Sequence, residues 1–129
     1  MIGADVLNRM FALRVVAPFH RLDDTELLLI AQHAGRRVVA PGRTLVAAGT
    51  VADVLFVRLQ GSVLIGGVAA PAVFDAAGLL FGLGARGDQV VGPEGLTALV
   101  IAKPHVFTIA RECPEFVVGL RGLIDAGRP

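Results

Sequence analysis

Tryptophan and tyrosine are absent from this sequence, and cysteine and lysine occur once each. The single Cys113 excludes an intramolecular disulfide and any zinc cluster built on cysteines. Charged residues make up only 18% of the chain and hydrophobic residues 54%, which argues against a disordered protein. The length of 129 residues is enough for one domain with a single core.

The chain also lacks an excess of charge of either sign, since it contains twelve basic and eleven acidic residues and its net charge is +1. Such a balance gives no electrostatic footprint for DNA, RNA or an anionic membrane, so we expect no nucleic-acid partner. The mean hydropathy of +0.70 is high for a soluble protein. We therefore expect apolar surface beyond the core, which predicts a protein partner or self-association.

A transmembrane span is the first alternative to test, because residues 63–85 carry a single charge, Asp75. Their length would suffice for a bilayer. However, Pro71, several glycines and a near-central carboxylate oppose a spanning helix, so no transmembrane span is predicted. The N-terminal residues contain scattered charges and no uninterrupted apolar run, so no secretory signal is predicted and the expected location is cytoplasmic.

Helical spacing at both ends of the chain encloses a middle region of short β-like pieces. Apolar residues recur at helical intervals over 4–16, and a second helix is predicted over 22–35, with Asp23 or Asp24 as N-cap and a left-handed Gly35 at its end. Turns are predicted at 41–42 and 92–95, and Pro104 and Pro114 are placed to open C-terminal helices.

This order predicts an α+β fold, in which an antiparallel, jelly-roll-like β-roll is flanked by N-terminal and C-terminal helices. We expect one domain over residues 1–129, divided into an N-terminal helical region (residues 1–35), a β-roll (residues 36–102) and C-terminal helices (residues 103–129). Short turns between the strands argue against a parallel βαβ sheet.

Two literal motifs fail on their context. Residues 82–87 spell G-x-G-x-x-G, but "DQVVGPEGL" follows them, and no helix can start there to present amides to a pyrophosphate. The tripeptide "RGD" at 86–88 is too short to carry an adhesion role without a signal peptide. A dinucleotide-binding role is therefore not predicted.

The sequence contains few residues that could form a catalytic or metal-binding site. His20, His33 and His105 lie far apart in helix-like segments, and we interpret them as surface or capping residues. Cys113 is interpreted as a partly buried, inert thiol near a helix start. No catalytic residue and no metal site is predicted, and the chain is not expected to be an enzyme.

The middle region carries a recognisable spacing. Residues 17–65 resemble the N-terminal half of the cyclic-nucleotide-binding domains found in the catabolite activator and protein kinase A regulatory-subunit superfamily. In that family a helical P-F-x-x-L-x-x-x-E-L stretch leads into P-G-x-x-L-x-x-x-G-x-x-A-D-x-L-F-x-x-x-x-G-x-V. The matching residues are Pro18, Phe19, Leu22, Glu26, Leu27, Pro41, Gly42, Leu45, Gly49, Ala52, Asp53, Leu55, Phe56, Gly61 and Val63. A cupin barrel is the alternative β-roll, but its clustered His and Glu ligands are absent.

The resemblance implies a phosphate-binding cassette at 74–87. The family pattern is roughly F-G-E-x-A-L, with an Arg ten residues after the Glu; the Arg and helix N-terminal amides hold the cyclic phosphate, and the Glu accepts from the ribose 2′-OH. In this chain the candidate ligand-binding residues are Phe74, Asp75, Ala76, Ala77, Gly78, Leu79, Arg86 and Gly87. Arg86 is retained, whereas Asp75 stands at the Gly position, Ala76 at the Glu position and Gly87 where a small Ser, Thr or Ala is usual.

These departures lead to three readings of function. The first is a non-catalytic regulatory or adaptor module with weak or no binding of cAMP or cGMP and no cofactor, in which Asp75 pairs with Arg86 or Leu79 and Phe81 close the pocket. The second is a sensor in which Arg86 reaches into an open pocket and binds a cyclic nucleotide or another anion. The third is a structural or assembly protein that uses the β-roll as a scaffold. No DNA-binding helix-turn-helix is visible in residues 1–129, so output through a partner is expected.

Overall fold

The structure is a computed structural model that describes residues 3–126. Within this range there are five α-helices and six strands. The helices are α1 (Ala4–Arg14), α2 (Asp24–His33), α3 (Ala76–Phe81), α4 (Lys103–Glu112) and α5 (Pro114–Ala126), with a short 3-10 helix at Phe19–Arg21. The strands are β1 (Ala34–Val39), β2 (Thr44–Val46), β3 (Val54–Ile65), β4 (Val68–Ala69), β5 (Val73–Phe74) and β6 (Gln89–Ala102). The predicted α+β class with an antiparallel β-roll is confirmed.

The chain forms two compact units. One consists of the described residues up to Gly35 together with those from Ile101 onward, and the other consists of residues 36–100. The assignment of all 129 residues to one domain stays a prediction. The outer ends of the predicted helical regions, at 1–2 and 127–129, lie outside the described residues.

The helical unit is built around fully buried apolar side chains from four helices. Phe19 and Phe116 meet with their ring centroids 5.9 Å apart, and Leu27 and Ile109 are completely shielded from solvent. Pro114 opens α5 and a proline stands in the first turn of α4, as predicted, because proline fits the helix start where no amide hydrogen is needed. The peptide bond between Ala17 and Pro18 is cis.

Helix α2 begins with a capping box. The Asp23 carboxylate accepts from the Glu26 amide at 2.8 Å, and the Glu26 carboxylate accepts from the Asp23 amide at 3.1 Å. The predicted left-handed end at Gly35 is wrong, because α2 stops at His33 and Ala34 is already extended at φ −88°. Gly35 lies in β1, so the chain passes directly from helix to strand without a left-handed cap.

Removal of the N-cap should loosen α2 without affecting the β-roll. We expect Asp23→Ala to lower the free energy of unfolding by about 1 kcal/mol, because the Glu26 amide at the start of α2 loses its acceptor. Urea unfolding followed by circular dichroism measures this loss. Asp23→Asn is the matched control, since an asparagine side chain still caps. Equal loss in both variants would show that the capping hydrogen bond does not hold the helix.

The β-roll unit is one six-stranded sheet in the order β1–β6–β3–β4, with β2 paired to β6 and β5 paired to β3. Strand β5 places Phe74 directly opposite Phe56 on antiparallel β3. One apolar cluster inside this unit contains these two rings together with Val63, Val91 and Leu96. The predicted cassette therefore begins at the end of β5, where Phe74 packs in this apolar cluster.

The neighbouring strands β3 and β6 approach each other closely at a pair of glycines. Gly61 in β3 and Gly95 in β6 both have positive φ, +85° and +77°. A Cβ on Gly61 would lie 1.9 Å from the Gly95 carbonyl oxygen, so the two backbones approach too closely for any side chain. The turn predicted at 92–95 is wrong, because β6 runs through these residues without interruption. The glycine signal there marks a close backbone approach inside a sheet rather than a chain reversal.

Several large apolar side chains are exposed, as the high hydropathy predicts. They include Phe11 and Val15 near the end of α1, Val118 on α5 and Phe81 on α3, each more than half accessible to solvent. None of the helices in the described range has the length and apolar character that a bilayer crossing requires.

Candidate ligand-binding site

A cavity of about 210 Å³ lies in the β-roll unit beside α3. Its walls come from the loop before β3, the end of β3, helix α3, the segment after α3 and the start of β6. The lining residues are Thr50, Ala52, Ile65, Asp75, Ala77, Gly78, Leu83, Gly84, Ala85, Arg86 and Gln89. Asp75 and Arg86 are the charged members of this set, so the cavity has one acidic and one basic wall.

The cassette begins on a stacked pair of aromatic rings. Phe74 is buried, and its ring lies nearly parallel to that of Phe56 with the centroids 4.9 Å apart. Arg37 stands over the other ring of this stack, with its guanidinium carbon 5.9 Å from the Phe56 centroid. Because Phe74 is anchored in this way, the position of the next residue, Asp75, is fixed at the edge of the cavity.

Asp75 adopts the left-handed conformation, with φ 76° and ψ 9°, and is the only described non-glycine residue with positive φ. This geometry explains how an aspartate can stand where the family pattern has glycine, since Asp and Asn are the side chains that tolerate it best. Ala76 follows as the first residue of α3 and is buried. Its methyl group has no oxygen, so this position cannot accept a hydrogen bond from a ribose hydroxyl.

The Asp75 carboxylate meets a buried amide. Gln89, only 1% exposed, donates from Nε2 to Asp75 Oδ1. The two remaining oxygens, Asp75 Oδ2 and Gln89 Oε1, are buried and have no hydrogen-bond partner. Burial raises the pKa of Asp75, and the hydrogen bond from Gln89 opposes this only in part. The pair is thus an incompletely satisfied polar group in the wall of the cavity.

Sequence reasoning missed Gln89. A signal was present, because Gln89 and Val91 lie two residues apart and share one face of β6, and Val91 is buried. A polar residue on the buried face of a strand requires a partner. Nothing in the sequence identified that partner as Asp75, fourteen residues earlier.

Arg86 lines the cavity and is exposed to solvent. The hypothesis of an internal Asp75–Arg86 ion pair is wrong, since in the described range of the chain Asp75 is bonded by Gln89 and no ion pair joins it to Arg86. Closure by Leu79 and Phe81 does not occur either. Leu79 is buried in the core, Phe81 is 62% exposed, and neither lines the cavity.

The remaining candidate residues divide between cavity and scaffold. Ala77 and Gly78 of α3 line the cavity. Gly87 does not, and a Cβ there would lie 2.6 Å from the Cα of Gly66. The last two glycines of the G-x-G-x-x-G match thus serve close packing, since a Cβ on Gly84 would lie 2.6 Å from the Gly49 carbonyl oxygen. No helix follows them, because β6 begins at Gln89, as predicted.

Outside this cavity, the structure brings together two of the three histidines. The rings of His33 and His105 stack in the helical unit with centroids 4.6 Å apart, a pairing the sequence did not indicate, whereas His20 is exposed on the 3-10 helix. Among residues 3–126, no group of three or more His, Cys, Asp or Glu side chains is placed to hold a metal ion.

Cys113 lies between α4 and α5 and is buried. Burial raises the pKa of its thiol, and the carboxylates of Glu26, Glu112 and Asp23 add to the effect because they disfavour a thiolate nearby. The thiol is therefore neutral near physiological pH and a poor nucleophile.

Comparison of the sequence with known families and curated proteins gives no match. No family model matches the chain, and no curated protein shows significant sequence similarity to it. Any relationship must therefore be read from the fold.

Solved structures do match the fold. The N-terminal domain of a transcriptional regulator from Streptomyces coelicolor aligns with a TM-score of 0.66 at 19% identity, covering 89% of this chain and 88% of that one. A cyclic nucleotide-binding-like protein from Brucella abortus aligns with a TM-score of 0.61 at 21% identity over 81% of this chain and 98% of its own. The catabolite activator protein of Thermus thermophilus aligns with a TM-score of 0.68 at 21% identity.

The match to the catabolite activator protein covers 84% of this chain and 56% of that protein. The regulatory domain of Toxoplasma gondii protein kinase A, solved with cAMP, aligns with a TM-score of 0.64 at 17% identity, over 84% of this chain and 46% of that one. Identities of this size show the fold alone. The chain has the fold of cyclic-nucleotide-binding domains, as the sequence resemblance predicted.

Proposed function

We infer that this chain is a non-catalytic regulatory module with the cyclic-nucleotide-binding fold, and that it binds cAMP and cGMP weakly or not at all at neutral pH. The observation that carries the inference is the Asp75 carboxyl group, which occupies the cassette side of the cavity with one oxygen unpartnered. When that group is ionised, it repels a cyclic phosphate, and like-charge contacts of this kind cost several kcal/mol.

The absent ribose acceptor weakens nucleotide binding further. Ala76 replaces the glutamate that the family pattern uses for the ribose 2′-OH, and loss of one such buried hydrogen bond costs about 1–3 kcal/mol. That free energy corresponds to roughly a 5- to 150-fold weaker affinity. The residues present therefore do not fit a cyclic nucleotide in its usual mode. A partner protein would take up the signal, and the exposed Phe11, Val15 and Val118 of the helical unit support such a contact.

A second candidate function is a sensor of an anion, and it is favoured by the position of Arg86. Arg86 lines the cavity, is exposed, and has no ion-pair partner among the described residues. An unpaired guanidinium at a cavity wall is a suitable group for a phosphate or carboxylate.

Isothermal titration with cAMP and cGMP at neutral pH tests the first function. We expect weak or undetectable binding, and a submicromolar Kd for either nucleotide would overturn it. Arg86→Ala tests the second, because it should abolish any ligand-induced rise in melting temperature. Arg43→Ala is the matched control, since Arg43 is exposed in the same unit but does not line the cavity. Equal responses in both variants would remove Arg86 from the site.

A further inference from the structure

A single added proton would satisfy both unpartnered oxygens of Asp75 and Gln89. Gln89 Nε2 already donates to Asp75 Oδ1, and the remaining atoms, Asp75 Oδ2 and Gln89 Oε1, are both acceptors when the carboxyl is ionised. Two buried acceptors cannot bond each other. One proton on Oδ2 turns it into a donor, and Gln89 Oε1 is the free acceptor on the side chain already bonded to this carboxyl.

The same proton changes the charge of the cavity. With Asp75 ionised, the walls carry one negative and one positive group, and an incoming anion meets the carboxylate as well as Arg86. With Asp75 neutral, Arg86 is the sole charged residue that lines the cavity. Its attraction for an anion is then unopposed by any other charged residue of the cavity wall.

No other charged group among the described residues lies on the cavity wall to take over either role. Helix α3 and strand β5 contain no charged residue. The remaining charged residues on the segments that surround the cavity are exposed or half-buried and do not line it: Arg43, Asp53, Arg58, Asp88 and Glu94. The titration of the cavity is therefore dominated by Asp75, with Arg86 as the fixed positive charge.

We propose that the cavity binds a small anion through Arg86 together with one proton, which Asp75 and Gln89 hold between them. This inference rests on the second candidate function, the Arg86 sensor. The ligand class is a monoanion such as a phosphodiester or carboxylate, and the affinity is gated by pH. The module is closed to anions when Asp75 is ionised and open to them when Asp75 is protonated.

Burial raises the pKa of Asp75, which brings its protonation nearer to physiological pH than for an exposed aspartate. Linkage then sets the size of the effect. Where free protein has Asp75 ionised and bound protein has it protonated, affinity changes about tenfold for each pH unit. Affinity rises as pH falls and levels off below the pKa of the free protein.

The experiment uses two probes that stay monoanionic between about pH 5 and about pH 8, cAMP and dimethyl phosphate. Calorimetric titration of the full chain should show affinity rising up to tenfold per pH unit on acidification, with uptake of one proton revealed by buffers of different ionisation enthalpy. Asp75→Asn should bind with a flat pH profile at the acid-plateau affinity of the wild type. Arg86→Ala should lose binding throughout, and Arg43→Ala should behave as wild type.

The possible outcomes distinguish the proton coupling from the anion site itself. A wild type that binds either probe with a flat pH profile, or an Asp75→Asn variant that binds no better than wild type near pH 8, overturns the proton coupling and leaves the Arg86 site standing. No binding of either probe by any variant at any pH overturns the anion site itself, and with it the second candidate function. Ligand-free titration of the Asp75 carboxyl by ¹³C NMR gives an independent check, because an ordinary aspartate pKa there contradicts the shared proton.

Discussion

Replacement of Gly61 by alanine is expected to lower the free energy of unfolding by about 3 kcal/mol or more. Two costs add at this position. A non-glycine residue at φ +85° is strained by about 1–2 kcal/mol. In addition, the new methyl group would lie 1.9 Å from the Gly95 carbonyl oxygen, and because both groups belong to backbone in long strands, β3 and β6 must separate. Urea or thermal unfolding of the purified variant measures the loss.

Gly67→Ala is the matched control for this prediction. Gly67 has nearly the same backbone angle, φ +82°, but a Cβ built there meets nothing within 4 Å. The control should therefore lose only the backbone strain, about 1–2 kcal/mol. If both variants lost the same stability, the close approach of β3 and β6 at Gly61 would be contradicted.

Replacement of Asp75 by asparagine is expected to stabilise the protein by about 1–3 kcal/mol at a pH where Asp75 is ionised. Asparagine is isosteric, tolerates the left-handed backbone at φ 76°, and offers an NH₂ group to Gln89 Oε1. The unpartnered carboxylate oxygen is then replaced by a donor, Gln89 Oε1 gains a partner, and a partly buried charge is removed. Urea unfolding near pH 8 is the measurement.

The pH dependence of this gain has a definite sign. Because burial raises the pKa of Asp75 in the folded protein, the folded state holds the proton more tightly than the unfolded chain does. The stabilisation from that proton is fully present below the ordinary aspartate pKa and is lost as pH rises through the raised folded-state value. Asp75→Asn should therefore exceed wild type at high pH and converge with it in acid.

Asp53→Asn serves as the comparison, because Asp53 is exposed and its substitution should change stability by no more than about 0.5 kcal/mol at any pH. A gain for Asp75→Asn that does not vary with pH would contradict an ionisable origin. A loss of stability at high pH would show that the wild-type carboxylate is well satisfied.

Much of the fold was predictable because its signals are local. The helix start at Asp23, the prolines that open α4 and α5, and the change of texture near residue 36 all act through neighbouring residues. The errors occur where a residue type that usually marks a turn is instead required by a contact with residues distant in the sequence. Residues 92–95 contain glycine and proline, yet they continue β6, because Gly95 lies against β3 across the sheet. A single sequence does not reveal this register.

The site was predictable in outline and not in its chemistry. The family resemblance predicted a cassette at 74–87 that includes Arg86, and Arg86 lines the cavity beside α3. The partner of Asp75 was not predictable, because Gln89 reaches it only once β6 and α3 are folded against one another. The hypothesis of an Asp75–Arg86 pair relied on opposite charge, whereas the structure shows that a buried amide takes that place. Charge complementarity in a sequence does not specify which polar group is nearest in space.

The contact between Gly66 and Gly87 gives Arg86 a support away from α3. Gly66 lies in the tight turn joining β3 to β4, its amide donates to the Asp88 carbonyl at 3.2 Å, and Gly87 packs directly on it without side chains between them. The backbone immediately after Arg86 therefore packs against the turn of the β3–β4 hairpin and is hydrogen-bonded to it. Arg86 is thus held on its C-terminal side by backbone contacts that do not involve its own side chain, so substitution of that side chain leaves this support in place.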